Sequence, residues 1–110
     1  MVALESRRGR LYLLSSAWLE KRFSQLLDDN TFRRDVLLVI TFDENSRNWP
    51  YLTERPNKVY TVLYGDAVAT GTYADIYSHY DLLRTIEENF GTKPMADGDG
   101  NARPIAGVWR

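Results

Sequence analysis

Two adjacent carboxylates follow directly after a strongly apolar segment. Asp43 and Glu44 come after the run Val36–Phe42, whose length and composition are those of a strand. Open α/β sheets bind ligands at the carboxyl ends of their strands. Because adjacent carboxylates repel unless they are solvated or neutralised by a cation, the pair is a candidate site for a divalent metal ion. A solvated turn is the alternative interpretation, and it is the commoner setting for such a pair.

The chain has one histidine, His79, which falls in the first turn of a predicted helix. The backbone N–H groups and the dipole at a helix start favour an anion such as phosphate, and they disfavour imidazolium. A neutral imidazole there is available as a ligand or a hydrogen-bond partner, so His79 is the candidate catalytic residue. The alternative is a surface or capping histidine.

The elements that position these residues can be predicted from periodicity. Apolar residues at helical spacing predict a first helix that begins near a cap at Ser16 and ends at Asp28–Asn30. Two strands follow, Val36–Phe42 and Val59–Tyr64, with a polar loop containing prolines over residues 45–57.

The strongest helix signal lies in the C-terminal third. Ser78 and Asp81 have the spacing of a capping box, and Gly91 is placed to end the helix in a left-handed conformation. The residues predicted to share its apolar face are Leu82, Leu83, Ile86 and Phe90.

The residues after this helix are rich in glycine, proline and small polar side chains. They predict an irregular surface tail that packs Ile105 or Trp109 against the body. The segment Ala96–Asn101 weakly resembles the start of an EF-hand calcium-binding loop, but the glutamate at the twelfth position of such a loop is missing. Calcium binding is therefore not predicted there.

The strand Val36–Phe42 is continuously apolar rather than alternating, which is typical of a strand covered on both faces in a parallel sheet. The predicted fold class is therefore α/β. Because a sheet of two strands is at best marginally stable, the 110 residues are expected to be a piece of a larger domain.

Composition excludes several classes of protein. With 14 basic and 15 acidic residues, the net charge is −1, which argues against a nucleic acid or an anionic membrane held by bulk charge. The absence of cysteine excludes disulfides and thiolate metal sites. No apolar run approaches the roughly 20 residues of a membrane span. The run Leu11–Leu14 is too short for a signal peptide, and neither localisation nor oligomeric state is predicted.

Three segments, read in order, carry a family resemblance. They are "LLVITFDEN", "NKVYTVLYGDAV" and "GTYADIYSHYDLLRTIEENFG". Together they resemble the C-terminal part of the phosphoesterase family that contains acid phosphatases and non-specific phospholipases C. The resemblance covers residues 17–95, which leaves residues 1–16 as a non-native or disordered lead-in and residues 96–110 as the irregular tail.

The resemblance implies a partial alkaline-phosphatase-like α/β/α sandwich and metal-assisted hydrolysis of phosphate esters by a hydroxyl nucleophile. Asp43 and Glu44 match the acidic pair that binds metal in the family. His79 matches a histidine of the family pattern that we expect near the phosphate, in contact with either the metal or the substrate. Asn45 is followed by Ser-Arg-Asn instead of the Gly-Gly of the phospholipase branch, which favours the acid phosphatase branch.

Two parts of the family pattern have no counterpart here, a Glu-Asn motif that binds metal and the nucleophilic Ser or Thr. Met1–Leu14 also matches nothing expected at this point in the family. The resemblance therefore predicts a truncated hydrolase segment that is inactive alone. The alternatives are an inactive remnant or small binding module that keeps the scaffold, and an unrelated domain that acts through aromatic residues such as Trp49 or Trp109.

Overall fold

The structure is a computed structural model that describes residues 7–43 and 58–110. The chain divides into two compact units, an N-terminal unit, Met1–Asp66, and a C-terminal unit, Ala67–Arg110. No helix in the described ranges is both long enough and apolar enough to cross a membrane.

The N-terminal unit begins with two helices, α1 (Arg7–Asp28) and α2 (Asn30–Asp35). The predicted end of α1 at Asp28 is confirmed. The predicted start at Ser16 is wrong, because the arginines and leucines before it are good helix formers and extend the helix to Arg7. The segment interpreted as a lead-in is thus helical from Arg7 onward.

A single residue separates α1 from α2. The Asp29 carboxylate accepts hydrogen bonds from the backbone N–H groups of Thr31 at 2.7 Å and Phe32 at 3.0 Å. This N-cap satisfies two of the donors left free at a helix start. Helix α2 is not predicted by periodicity, because six residues are too few to show a helical period.

The N-terminal unit also contains two short strands, β1 (Leu38–Thr41) and β2 (Thr61–Tyr64). They pair antiparallel, with Leu38 opposite Tyr64 and Thr41 opposite Thr61, and the two threonine hydroxyls lie 2.8 Å apart. The parallel pairing suggested by the apolar run is therefore wrong for this pair. The larger α/β/α sandwich stays a prediction.

Strand β1 is shorter than the predicted Val36–Phe42. Val36 is the C-cap of α2, and its backbone N–H donates to the Phe32 carbonyl at 2.9 Å instead of joining the sheet. Gly65 lies directly after β2 and close to this connection, since a Cβ atom at Gly65 would lie 2.7 Å from the Val36 carbonyl oxygen. The chain therefore needs the smallest side chain at that point.

The C-terminal unit contains helix α3 (His79–Phe90) and the short helix α4 (Asp97–Gly100). The predicted limits of α3 are confirmed: Ser78 and Asp81 form a capping box, and Gly91 ends the helix with φ of 66°. Helix α4 lies within the predicted irregular tail, so the tail is more ordered than expected.

The core of the C-terminal unit comes from the segment after α4. Ile105 and Val108 are 8% and 4% exposed, which confirms that Ile105 packs inward as predicted. The apolar face predicted for α3 is only partly covered, since Phe90 is 74% exposed and Ile86 is also exposed. An isolated antiparallel bridge joins Val68 to Trp109.

Candidate functional site

Asp43 lies just beyond the carboxyl end of β1. Strand β1 ends at Thr41, and Asp43 occupies an exposed bend two residues later. The predicted position after a strand is therefore confirmed for Asp43. Glu44, its predicted partner, lies outside the described residues, so the pairing of these two carboxylates stays a prediction.

His79 is the first residue of α3 and is exposed. The capping box on either side of it fixes this turn: Asp81 Oδ2 accepts from the Ser78 backbone N–H at 2.5 Å, and Ser78 Oγ accepts from the Asp81 N–H at 3.3 Å. His79 thus begins the helix as predicted, in a turn whose backbone is held from both sides.

Asp81 carries the negative charge at the start of α3. Burial opposes this charge, but hydrogen bonds from the Ser78 backbone N–H, the Ser78 hydroxyl and the Arg103 backbone N–H outweigh it and lower the pKa of Asp81. Asp81 is therefore ionised at the helix start, where the helix dipole favours an anion. Its carboxylate already provides part of the negative charge that a bound phosphate would bring there.

Arg103 also belongs to this region, although no sequence pattern predicts it. Its backbone N–H donates to Asp81 Oδ1 at 3.0 Å, and its guanidinium donates to the Ile76 carbonyl at 2.8 Å. The same guanidinium lies over the Tyr77 ring, 4.6 Å from the ring centroid. No local motif marks Arg103, because its partners lie more than 20 residues earlier in the chain.

The two predicted halves of the site belong to different units. Asp43 is in the N-terminal unit and His79 is in the C-terminal unit, so their proximity stays a prediction. Within residues 7–43 and 58–110, no group of three or more histidine, aspartate or glutamate side chains is arranged to hold a metal ion. The described residues alone therefore do not form a complete donor set, and a divalent metal stays a prediction.

Comparisons with known proteins relate the chain to phosphatases. The chain is 34% identical over 93 residues to a phosphatidylinositol-3-phosphatase of Mycobacterium tuberculosis. It is 33% identical over 92 residues to an acid phosphatase of Aspergillus niger and 32% identical over 89 residues to a phosphate-repressible acid phosphatase of Penicillium chrysogenum. No family model and no solved structure matches the chain.

These matches cover most of the chain but little of each relative. They include 84%, 80% and 77% of this chain, and the chain spans only 28%, 21% and 20% of the three relatives. A continuous stretch that covers 77% or more of the 110 residues includes Asp43, Glu44 and His79 wherever it begins. The similarity to proteins named phosphatases is thus confirmed. Membership of the particular phosphoesterase family stays a prediction.

Proposed function

We propose that this chain forms part of a metal-assisted phosphate-ester hydrolase of the acid phosphatase type. The observation that carries the proposal is the similarity to proteins named phosphatases across the whole segment that holds Asp43, Glu44 and His79. The unrelated aromatic-surface domain is the less favoured alternative, because it gives no reason for this similarity.

The proposal assigns Asp43 and Glu44 to a divalent metal ion. Carboxylate oxygens suit a hard cation, and a cation removes the repulsion between adjacent carboxylates at the end of β1. A bound divalent metal would stabilise the charge that develops on the phosphoryl oxygens during hydrolysis. The assignment is supported by the position of Asp43 just beyond the end of β1, a strand that is held by its pairing with β2.

His79 is assigned to the phosphate. Its place at the start of α3 puts the imidazole where a helix N-terminus favours an anion, and the Ser78–Asp81 capping box holds that turn. His79 would donate a hydrogen bond to a phosphoryl oxygen. The proposed substrate is a phosphomonoester, the chemistry shared by the names of the three relatives.

The metal assignment can be tested on the chain itself. A ligand that binds only the folded state stabilises it by about 2.7 kcal/mol at one hundred times its Kd. Thermal unfolding after treatment with EDTA and with added Mg²⁺, Mn²⁺, Ca²⁺ or Zn²⁺ is expected to show stabilisation by at least one metal. Asp43→Asn and Glu44→Gln should each remove the effect, whereas Asp75→Asn, a change in an exposed loop, should keep it.

The catalytic assignment needs a complete enzyme. We would replace the matched segment of the Aspergillus niger acid phosphatase with the corresponding residues of this chain. The chimera is expected to release phosphate from a phosphomonoester and to lose this activity with Asp43→Asn. An active Asp43→Asn chimera would contradict the role of Asp43. A chain that binds no metal, together with an inactive but folded chimera, would favour the non-catalytic scaffold instead.

A further inference from the structure

Two acidic residues are buried in the C-terminal unit. Glu87 of α3 is 5% exposed and Asp99 of α4 is 2% exposed. Ionised side chains are seldom buried this deeply without a cation or several hydrogen-bond donors, because burial removes their hydration. Neither residue is part of the proposed hydrolytic site, so their burial needs its own explanation.

Asp99 has the environment of a carboxylate. One of its oxygens accepts from the backbone N–H of Met95 at 2.6 Å, and the other accepts from the backbone N–H of Ala96 at 3.0 Å. The hydrogen bond from Met95 is the largest influence on its pKa, which is lowered despite burial. These bonds also fix the turn that begins α4, so the charge on Asp99 serves the local fold.

Glu87 has the opposite environment. Within residues 7–43 and 58–110, neither of its carboxyl oxygens has a hydrogen-bond partner of normal geometry, and the backbone N–H of Met95, which donates to Asp99, only weakly favours its charged form. Burial is the main cause that raises its pKa, and the neighbouring Asp99 raises it further. Arg84 opposes these effects, but its guanidinium is paired with Glu88 at 3.0 Å. A buried carboxyl group that lies beside a carboxylate and has no hydrogen bond of normal geometry is most stable when it is protonated and donates.

We propose that Glu87 and Asp99 share a single proton, with neutral Glu87 donating to ionised Asp99, and that this hydrogen bond fastens α4 to α3. A hydrogen bond to an ionised acceptor is short and roughly twice as strong as one between neutral groups. Loss of the proton leaves two negative charges in a buried space and loosens α4. The backbone at Gly98 would then leave the ring of Tyr80, against which it packs so closely that a Cβ atom would lie 2.6 Å from Cε1.

The two acids set opposite limits on the pH range of this fastening. The pKa of Glu87 is raised above 4.5, so its contribution is complete below that pH and is lost as the pH rises through the folded-state pKa. The pKa of Asp99 is lowered below 3.8, so its contribution is present above that pH and is lost on further acidification. The α3–α4 contact is therefore strongest in mild acid.

Chemical unfolding of the full chain across pH 4 to 8 tests the shared proton. Release of one proton raises the unfolding equilibrium constant by at most about tenfold per pH unit. As the pH rises above 4.5, we expect the unfolding equilibrium constant of the wild type to rise, with a slope no steeper than this. Glu87→Gln keeps a donor toward Asp99 without a titrating proton, so it should remove this part of the pH dependence. Asp97→Asn, an exposed change in the same short helix, should behave as the wild type.

A second measurement keeps the proposal testable if a variant does not fold. In the wild type, the carbon-13 shift of the Glu87 carboxyl should titrate at a higher pH than that of a free glutamate side chain. Over the same pH range, amide hydrogen exchange in α4 should become faster. Titration at the ordinary value, or an unchanged pH dependence in Glu87→Gln, would overturn the proposal. So would stabilisation by Mg²⁺ or Ca²⁺ that Glu87→Gln abolishes, because the pair would then hold a cation.

Discussion

Thr85 and Ile105 are joined by a hydrogen bond across 20 residues of sequence. The backbone N–H of Ile105 donates to Thr85 Oγ1 at 2.8 Å, and the same hydroxyl donates to the Asp81 carbonyl at 2.7 Å. Ile105 is buried, so its backbone N–H has little access to water. The Thr85 hydroxyl therefore connects the middle of α3 to the segment that forms the core of the C-terminal unit.

Replacing Thr85 by valine is expected to destabilise the chain. Valine has almost the same shape but no hydroxyl, so the Ile105 N–H would be buried without a partner, at a cost of about 1 to 3 kcal/mol. Denaturant unfolding measures this loss. Thr85→Ser keeps the hydroxyl and should lose much less stability than Thr85→Val. Equal losses in the two variants would mean that the methyl group matters and the hydrogen bond does not.

Asp81→Asn should destabilise the chain in a manner that depends on pH. The Asp81 pKa is lowered from 3.8, so its stabilisation is present above that pH and is lost as the pH falls through the folded-state value. We expect a loss of roughly 2 kcal/mol at pH 7, since Asp81 accepts several hydrogen bonds as a charged group. The difference from the wild type should shrink at pH 2. Asp75→Asn is the matched control and should change little at either pH.

Ser78→Ala is expected to weaken the start of α3. It removes the hydroxyl that accepts from the Asp81 N–H, and loss of such a cap costs about 1 kcal/mol. Ser16→Ala, at an exposed position inside α1, is the control and should be neutral or slightly stabilising, because alanine is the better helix former. If the two variants unfolded alike, the capping box would contribute nothing to stability.

Gly65→Ala should destabilise the N-terminal unit by about 1 to 3 kcal/mol, the usual cost of overpacking. The new methyl group would meet the carbonyl oxygen of Val36 at 2.7 Å, and a backbone atom cannot rotate away as a side chain can. At Gly100 the nearest atom, the Pro94 Cβ, is 3.7 Å from the added carbon, so Gly100→Ala should be tolerated. Thermal unfolding of both variants measures the contrast.

The features that the sequence predicted correctly depend on near neighbours. Ser78, Asp81 and Gly91 fix the ends of α3 through contacts within a few residues, and their residue types identify those contacts. The end of α1 at Asp28 follows the same logic, as does the placement of Asp43 after a strand. The burial of Ile105 was predicted from its apolar side chain within a polar tail.

The features that the sequence did not predict depend on distant partners. The direction of β1 is set by its pairing with β2, and an apolar run does not identify its partner. Arg103 reaches back to Ile76 and Asp81, and Glu87 is buried beside Asp99 although its position in α3 looks like that of a solvated charge. The metal assignment joins Asp43 to Glu44, which lies outside the described residues, so it stays a prediction.

The bridge between Val68 and Trp109 also bears on how the C-terminal unit folds. Ala69 donates to the Val108 carbonyl at 2.8 Å and Arg110 donates to the Ala67 carbonyl at 2.9 Å, so the two ends of this unit close on each other. Closing a loop of about 40 residues costs chain entropy that the local turns of α3 do not incur. We expect α3 to form before this closure. Val108→Ala should therefore speed unfolding while leaving the refolding rate almost unchanged, which stopped-flow kinetics can measure.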